Sequence, residues 1–289
     1  MRTGENRKAN SCVFKDFYLE WLQDLKALLP LLQQAIDSAV KLLNFEVPVT
    51  HTRFKAMTSS PTEALTTHVQ MLHQHFQAYF NALDHAAQQD VTQVLCPEWH
   101  NSIETPFLWL GSWHPAVFSN LLRAFISKYN NMTHGSVSCM SSFTRSDQKK
   151  QQFSFAWTHP SPELFEHMEQ IDRGLRLMIP AILSRMRDVQ ISFVGRIGCD
   201  WVTSISSSGG EGTVQEMVTD IATEKLEELT SIFVDANRQR GSILAEIIGA
   251  LDIYQSALYL EGLAKFIIGF RSPELVHDME HSKLPVSPH

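Results

Sequence analysis

The sequence predicts an all-α protein, a single multi-helix bundle of long, partly kinked helices. Three observations carry that reading. Apolar residues recur at three- and four-residue steps over long stretches, which is the period of a helix with one buried face. No stretch shows sustained period-2 alternation, so no sheet is expected. The helical segments are long and none forms a closed set of its own. That favours one domain over the two that a length of 289 residues would allow.

The first stripe starts at Phe14 and runs through Phe17, Tyr18, Trp21, Leu25, Leu28, Leu29 and Leu32. Pro30 falls inside it and is expected to kink the helix or end its first half. The stripe resumes through Ile36, Val40 and Leu43, and residues 48–59 read as a loop. Residues 1–13 carry Arg2, Arg7 and Lys8 and read as a short disordered basic segment. Ser60-Pro61-Thr62-Glu63 has the residues of a capping box with proline at the first helical position. The helix it opens carries Leu65, Val69, Leu72, Phe76, Tyr79, Phe80 and Leu83 on one face, and Cys96-Pro97 breaks it.

Residues 99–126 are dense in aromatics and punctuated by Pro106 and His114-Pro115. They read as a short helix around Ser102–Leu110, a turn at Gly111 and a new helix from Pro115. The segment 129–160 is rich in Asn, Ser, Thr and Gln, and is expected to be a mobile loop whose end Phe153, Phe155 and Trp157 can anchor. Ser161-Pro162 opens another helix that reaches about Val202, with a kink expected at Pro180. SSSGGEG, within residues 206–212, reads as a linker. Two helices follow, about Thr213–Gln239 and Ser242–Phe270, separated at Gly241, and residues 272–289 read as a flexible tail.

Composition narrows the function. A 44% hydrophobic and 19% charged chain is ordinary globular material, and a net charge of −7 is a poor default for nucleic-acid backbones. The four cysteines, at 12, 96, 139 and 199, have no CxxC spacing and suit a reducing compartment. No apolar run of 18 residues, no signal-peptide pattern and no lipidation box is present, so neither a membrane span nor an anchor is expected. No catalytic or nucleotide-binding signature is legible, and no enzymatic activity is expected.

His277 and His281 have i,i+4 spacing but no third ligand, and read as surface histidines. His68, His73 and His75 read as polar contacts on a helix face. Trp99, Trp109 and Trp113 are read either as core packing or as the lining of a pocket or interface. The stretch 211–235 is acidic, and Glu224, Glu227 and Glu228 form a candidate docking face for a basic partner or a solvated helix face.

Three blocks, in order, carry a family resemblance. They are Phe14-x-x-Phe17-Tyr18-x-x-Trp21, then Pro97-x-Trp99-x-x-Ser102-x-Glu104 with Leu108-Trp109-Leu110-Gly111-x-Trp113-x-Pro115, and then Arg240-Gly241-Ser242-Ile243-Leu244 through Gln255-Ser256-Ala257. Together they resemble the plant delay-of-germination domain over about residues 14–271. Only 13 residues precede Phe14, so the basic zipper of the TGA-type factors does not fit. The phrase Thr105-Pro106-Phe107 through Trp109-Leu110-Gly111, with His114-Pro115 and Asn120-Leu121-Leu122-Arg123, is similar to the inaperturate-pollen group.

The resemblance implies a plant regulatory protein without catalytic activity that marks plasma-membrane domains where pollen apertures form. It implies a partner from the same domain family and a protein kinase, allows a homo-oligomer, and implies no direct nucleic-acid contact. It implies a cytoplasmic protein held peripherally at the plasma membrane through its partners, and is compatible with a nuclear pool. The motif positions Phe14, Tyr18, Trp21, Trp99, Glu104, Trp109, Gly111, Trp113 and Pro115 are expected to be structural or interfacial. Haem or a fatty acid enters by family analogy only, and no cofactor is expected. The alternative reading is a small-molecule or haem-binding regulator of the germination type.

Overall fold

A computed structural model describes residues 3–43, 59–134, 156–157, 161–206 and 211–281, and within them the side chains of 14–41, 61–127, 156–157, 161–203, 216 and 218–278. The described residues form an all-α protein with one two-residue hairpin. The helices are α1 (Thr3–Leu43), α2 (Ser59–Gln89), α3 (Val91–Leu95), α4 (Ala116–His134), α5 (Pro162–Ser206), α6 (Glu211–Ala250), α7 (Ile253–Gly269) and α8 (Pro273–His281). Between α3 and α4 lie a 3-10 turn at Thr105–Phe107 and the strands β1 (Leu108–Trp109) and β2 (Ser112–Trp113). No helix among the described residues is long and apolar enough to cross a membrane.

α1, α2, α7 and the second half of α6 form the main bundle, and α4 packs on α7. Their stripes meet in one core that includes Leu25, Leu32, Phe76, Leu83, Phe233, Leu244 and Leu260. Aromatic side chains cement α1 to α2. The Trp21 and His75 rings stack 5.1 Å apart, Trp21 Nε1 donates to the His75 carbonyl at 2.9 Å, and His75 Nε2 donates to the Trp21 carbonyl at 2.8 Å. α6 is pinned to α2 by Asn237, whose Nδ2 reaches both the Phe80 carbonyl and Asp84 Oδ1 at 2.7 Å.

α5 is shared between two environments. Its first half, through Leu164, Met168, Ile171 and Leu175, belongs to the main core. Farther along, Ile182 and Val189 pack with Ile232 and Ala236 of α6 in a second, small core, with Leu229 and the hairpin residues Trp109 and Leu110 against it. This part of α5 and α6 forms a two-helix arm.

Several expectations need correction. α1 starts at Thr3, so the backbone of residues 3–13 is helical rather than disordered. Pro30 does not end the first half of its helix, and α5 likewise runs through Pro180, because the one backbone hydrogen bond each proline removes is outweighed by a long packed helix. Gly241 does not separate two helices. α6 runs through it to Ala250, with its Cα facing the Phe80 ring, and the break comes at Asp252. Asp252 accepts from Gln255 N while the Gln255 side chain accepts from Asp252 N, a capping box that starts α7. The expected helix at Ser102–Leu110 is a 3-10 turn followed by the hairpin. Residues 273–281, expected in a flexible tail, are helical. α4 reaches His134, into the expected mobile loop, while Trp157, one of the residues expected to anchor that loop's end, is fully buried against Phe125. The rest of that loop, residues 207–210 of the linker, the tail beyond 281 and the Ser60 side chain lie outside the described residues.

Candidate functional site

The Trp-Leu-Gly-x-Trp block forms the β1–β2 hairpin, in register Leu108 with Trp113 and Trp109 with Ser112. Its two central residues, Leu110 (φ 45°) and Gly111 (φ 71°), both have positive φ, as a two-residue type I′ hairpin requires. Gly111 abuts the end of α3 so closely that a Cβ would stand 1.7 Å from the Val94 carbonyl oxygen. Only glycine serves there.

Arg240 of α6 lies fully buried beneath the hairpin. Its Nε donates to the Trp113 carbonyl at 2.8 Å, and its Nη2 donates to the carbonyls of Trp109 and Leu110. Its guanidinium carbon lies 5.2 Å from the Trp109 ring centroid. One planar fork therefore ties the strained turn to the bundle. Burial pulls its pKa down to about 10, so it stays cationic at neutral pH. Replacing Arg240 with Lys keeps the charge but not the fork, and should cost about 2 kcal/mol in urea unfolding. It should also red-shift emission from Trp109. A lysine variant as stable as wild type would mean that charge alone holds the hairpin.

A second buried centre sits behind the hairpin. Glu104 has no exposed surface and accepts from His100 Nδ1 at 2.9 Å, Asn101 N at 3.0 Å, and Arg271 Nη2 and Nε at 2.9 and 3.1 Å. Arg271 also donates to the Trp99 carbonyl and lies over the Tyr18 ring, 4.9 Å from its centroid. Burial alone would raise the carboxyl pKa, but the bonds from His100 and Asn101 and the Arg271 charge hold it below the usual range. This centre joins the start of α1, the hairpin segment and the end of α7. His114 starts α4 in a related way, with Nδ1 accepting from Ala116 N at 3.1 Å.

Most of the motif positions named from sequence therefore gather at one place. Phe14, Tyr18, Trp21, Trp99, Glu104, Gly111, Trp113 and Pro115 are buried, and Trp109 is half-buried. Trp109 and Leu110 also border the small core of the arm, so the hairpin tip sits where arm meets bundle. Of the aromatic residues in this segment, Phe107 is the one strongly exposed, at 57%. The contacts that Arg240, Arg271, His100 and Asn101 make here are not written in the local sequence. Arg240 had a legible signal, since it occupies a stripe position between Phe233, Ala236 and Leu244, where a lone cation needs buried acceptors.

The acidic candidates lie elsewhere, on the arm. Glu224 pairs with Arg196 of α5, and Glu228 pairs with Lys225 at 2.5 Å. Glu227 is exposed. Two of the three therefore already have cations from this chain. On the helix face of α2, His75 Nε2 is committed to the Trp21 carbonyl and His68 Nδ1 bonds the Ala64 carbonyl. Between α5 and α6 runs an open groove of about 800 Å³, with Leu175, Met178, Ile182 and Ile243 along it and the Arg185–Asp235 pair at its edge.

The described residues thus form an all-α bundle in which a glycine hairpin is clamped by a buried arginine and backed by a buried carboxylate. The DOG1 family model, described as Seed dormancy control, matches residues 50–124. The chain is 36% identical over 288 residues to Protein INAPERTURATE POLLEN1 of Arabidopsis thaliana, covering 97% of each chain. It is 28% identical over 271 residues to the Protein INAPERTURATE POLLEN 1 homolog of Oryza sativa subsp. japonica, covering 93% of this chain and 89% of the relative. The chain belongs to the inaperturate-pollen family.

Proposed function

We propose that this protein is a non-catalytic scaffold that specifies pollen aperture sites, marking plasma-membrane domains and recruiting partners there. The observation that carries the reading is the relationship to INAPERTURATE POLLEN1 along 97% of the chain, which supports a role in pollen aperture formation. The buried motif supports the scaffold part. Its polar side chains are turned inward to hold the hairpin, leaving the outer surface of a rigid bundle for contacts. The partners proposed are a second protein of the same domain family and a protein kinase, with the protein peripheral at the membrane.

The test is localisation of a fluorescently tagged chain in microspores after meiosis. Discrete plasma-membrane patches at the sites that become apertures are expected. Diffuse or purely nuclear signal throughout development would overturn the reading.

A further inference from the structure

The arm has an outer face that the bundle does not use. Along α5, positions 173, 177, 180, 184, 187, 191, 194, 198 and 202 follow each other at three- and four-residue steps, so they share one side of the helix. The opposite side, with Ile182 and Val189, packs on α6. On the outer side Leu177 is 71% exposed, Ile191 63%, Val194 68% and Val202 61%. Trp201 adjoins them at 58%. Large apolar side chains this exposed, and in register, point to contact with another surface.

Within this stretch the outer side exposes Arg173, Arg176 and Arg187 against Asp188 at the flank, 3.9 Å from Arg187 Nε. The other two arginines of residues 173–202, Arg185 and Arg196, are paired with Asp235 and Glu224 of α6, and the whole chain has a net charge of −7. The face is therefore both apolar and cationic while the rest of the protein is acidic. A second copy of the chain would set arginines against arginines. An anionic partner complements the face. The stripe is a convex ridge about 40 Å long at 1.5 Å per residue, and the groove runs beside its first part, where Leu177 lines it. A long convex ridge suits a soft, planar partner better than a peptide.

We propose that the outer face of α5 is a membrane-contact surface that lies along an anionic lipid bilayer. Its apolar side chains enter the headgroup boundary, Trp201 sits at the interface, and the arginines meet the lipid phosphates. The face would give the scaffold of the preceding section a direct lipid contact, and rests on that reading for its biological setting only.

The test is sedimentation of the purified full chain with vesicles of phosphatidylcholine containing 30% phosphatidylserine, against pure phosphatidylcholine. Binding to the anionic vesicles is expected, with weak binding to neutral ones. Each surface cation contributes roughly fivefold in affinity. The triple variant Arg173→Gln, Arg176→Gln, Arg187→Gln should therefore weaken binding on the order of a hundredfold, and should flatten its salt dependence. Ile191→Asn with Val194→Asn should weaken it at least about tenfold, at unchanged helicity and melting temperature. No binding, or binding that neither variant weakens, overturns the proposal. So does a dimer in light scattering that the Asn variant dissociates, which would assign the face to a second copy. Either failure leaves the aperture role intact, since microspore localisation reads that separately.

Discussion

Replacing Gly111 with Ala should be among the most damaging single substitutions in this protein, costing more than about 4 kcal/mol. Two effects add. The residue stands at φ 71°, where a Cβ is strained whatever the space. The new Cβ would also meet the Val94 carbonyl at 1.7 Å and its carbon at 2.7 Å, and both are backbone atoms of α3. A backbone neighbour cannot swing aside as a side chain can, so the hairpin would have to lift. Lifting it withdraws the Trp109, Leu110 and Trp113 carbonyls from Arg240, which is buried and has no solvent to turn to. A thermal melt followed by circular dichroism should show a fall of about 10 °C or more. Gly262 makes the instructive contrast. A Cβ there would lie 2.6 Å from Phe125 Cζ, the far end of a side chain that can rotate away. A Gly111→Ala protein melting within about 2 °C of wild type would mean that the hairpin is not packed on α3 as described.

Glu104→Ala should cost about 3–5 kcal/mol, because it leaves the Arg271 guanidinium buried against a vacancy. Glu104→Gln should cost less, since it keeps an acceptor in place, and it isolates the charge. The pH dependence has a definite sign. The folded-state pKa of Glu104 lies below the ordinary 4.5, so the carboxylate contributes stability that is fully present above that value. The contribution is lost as pH falls through the lower folded pKa, when His100, Asn101 and Arg271 face a protonated acid. The stability gap between wild type and Glu104→Gln should therefore be full at neutral pH and close below the ordinary carboxylate range. Urea unfolding of both proteins across pH 3 to 7 reads this directly. A gap that stays constant with pH would show that the carboxylate's charge does not hold the centre together.

These two sites mark the line between what is written locally and what assembly adds. The long apolar stripes of α1, α2 and α7 were legible residue by residue, because a 3.6-residue period states which side chains face inward. The family was legible as well, through ordered blocks built around Trp21, Trp99 and the Trp109–Trp113 hairpin. The sequence also holds no run of 18 apolar residues, and none of the described helices is long and apolar enough to cross a membrane.

Helix ends were less legible where propensity and packing disagree. Pro30 and Gly241 looked like breaks, and the neighbouring helices carried the chain through both. The reverse happened at Ser102–Leu110, where an apparent helix gave way to a hairpin that only a distant arginine can hold. Nothing near Trp109 announces Arg240, which is 131 residues away in sequence, or the 167-residue reach of Arg271 to Glu104.

The outer face of α5 belongs to the same class of fact. Its stripe is partly visible as spacing, but a stripe looks alike whether it faces a core or water. By itself the sequence determined the helical class, the family and the inward residues of each helix, because these follow from local periodicity and motif order. Only the tertiary structure decided which polar groups meet in the buried centre and which apolar face stays outside. Those outcomes depend on which helices pack against which, and that is a property of the assembled bundle.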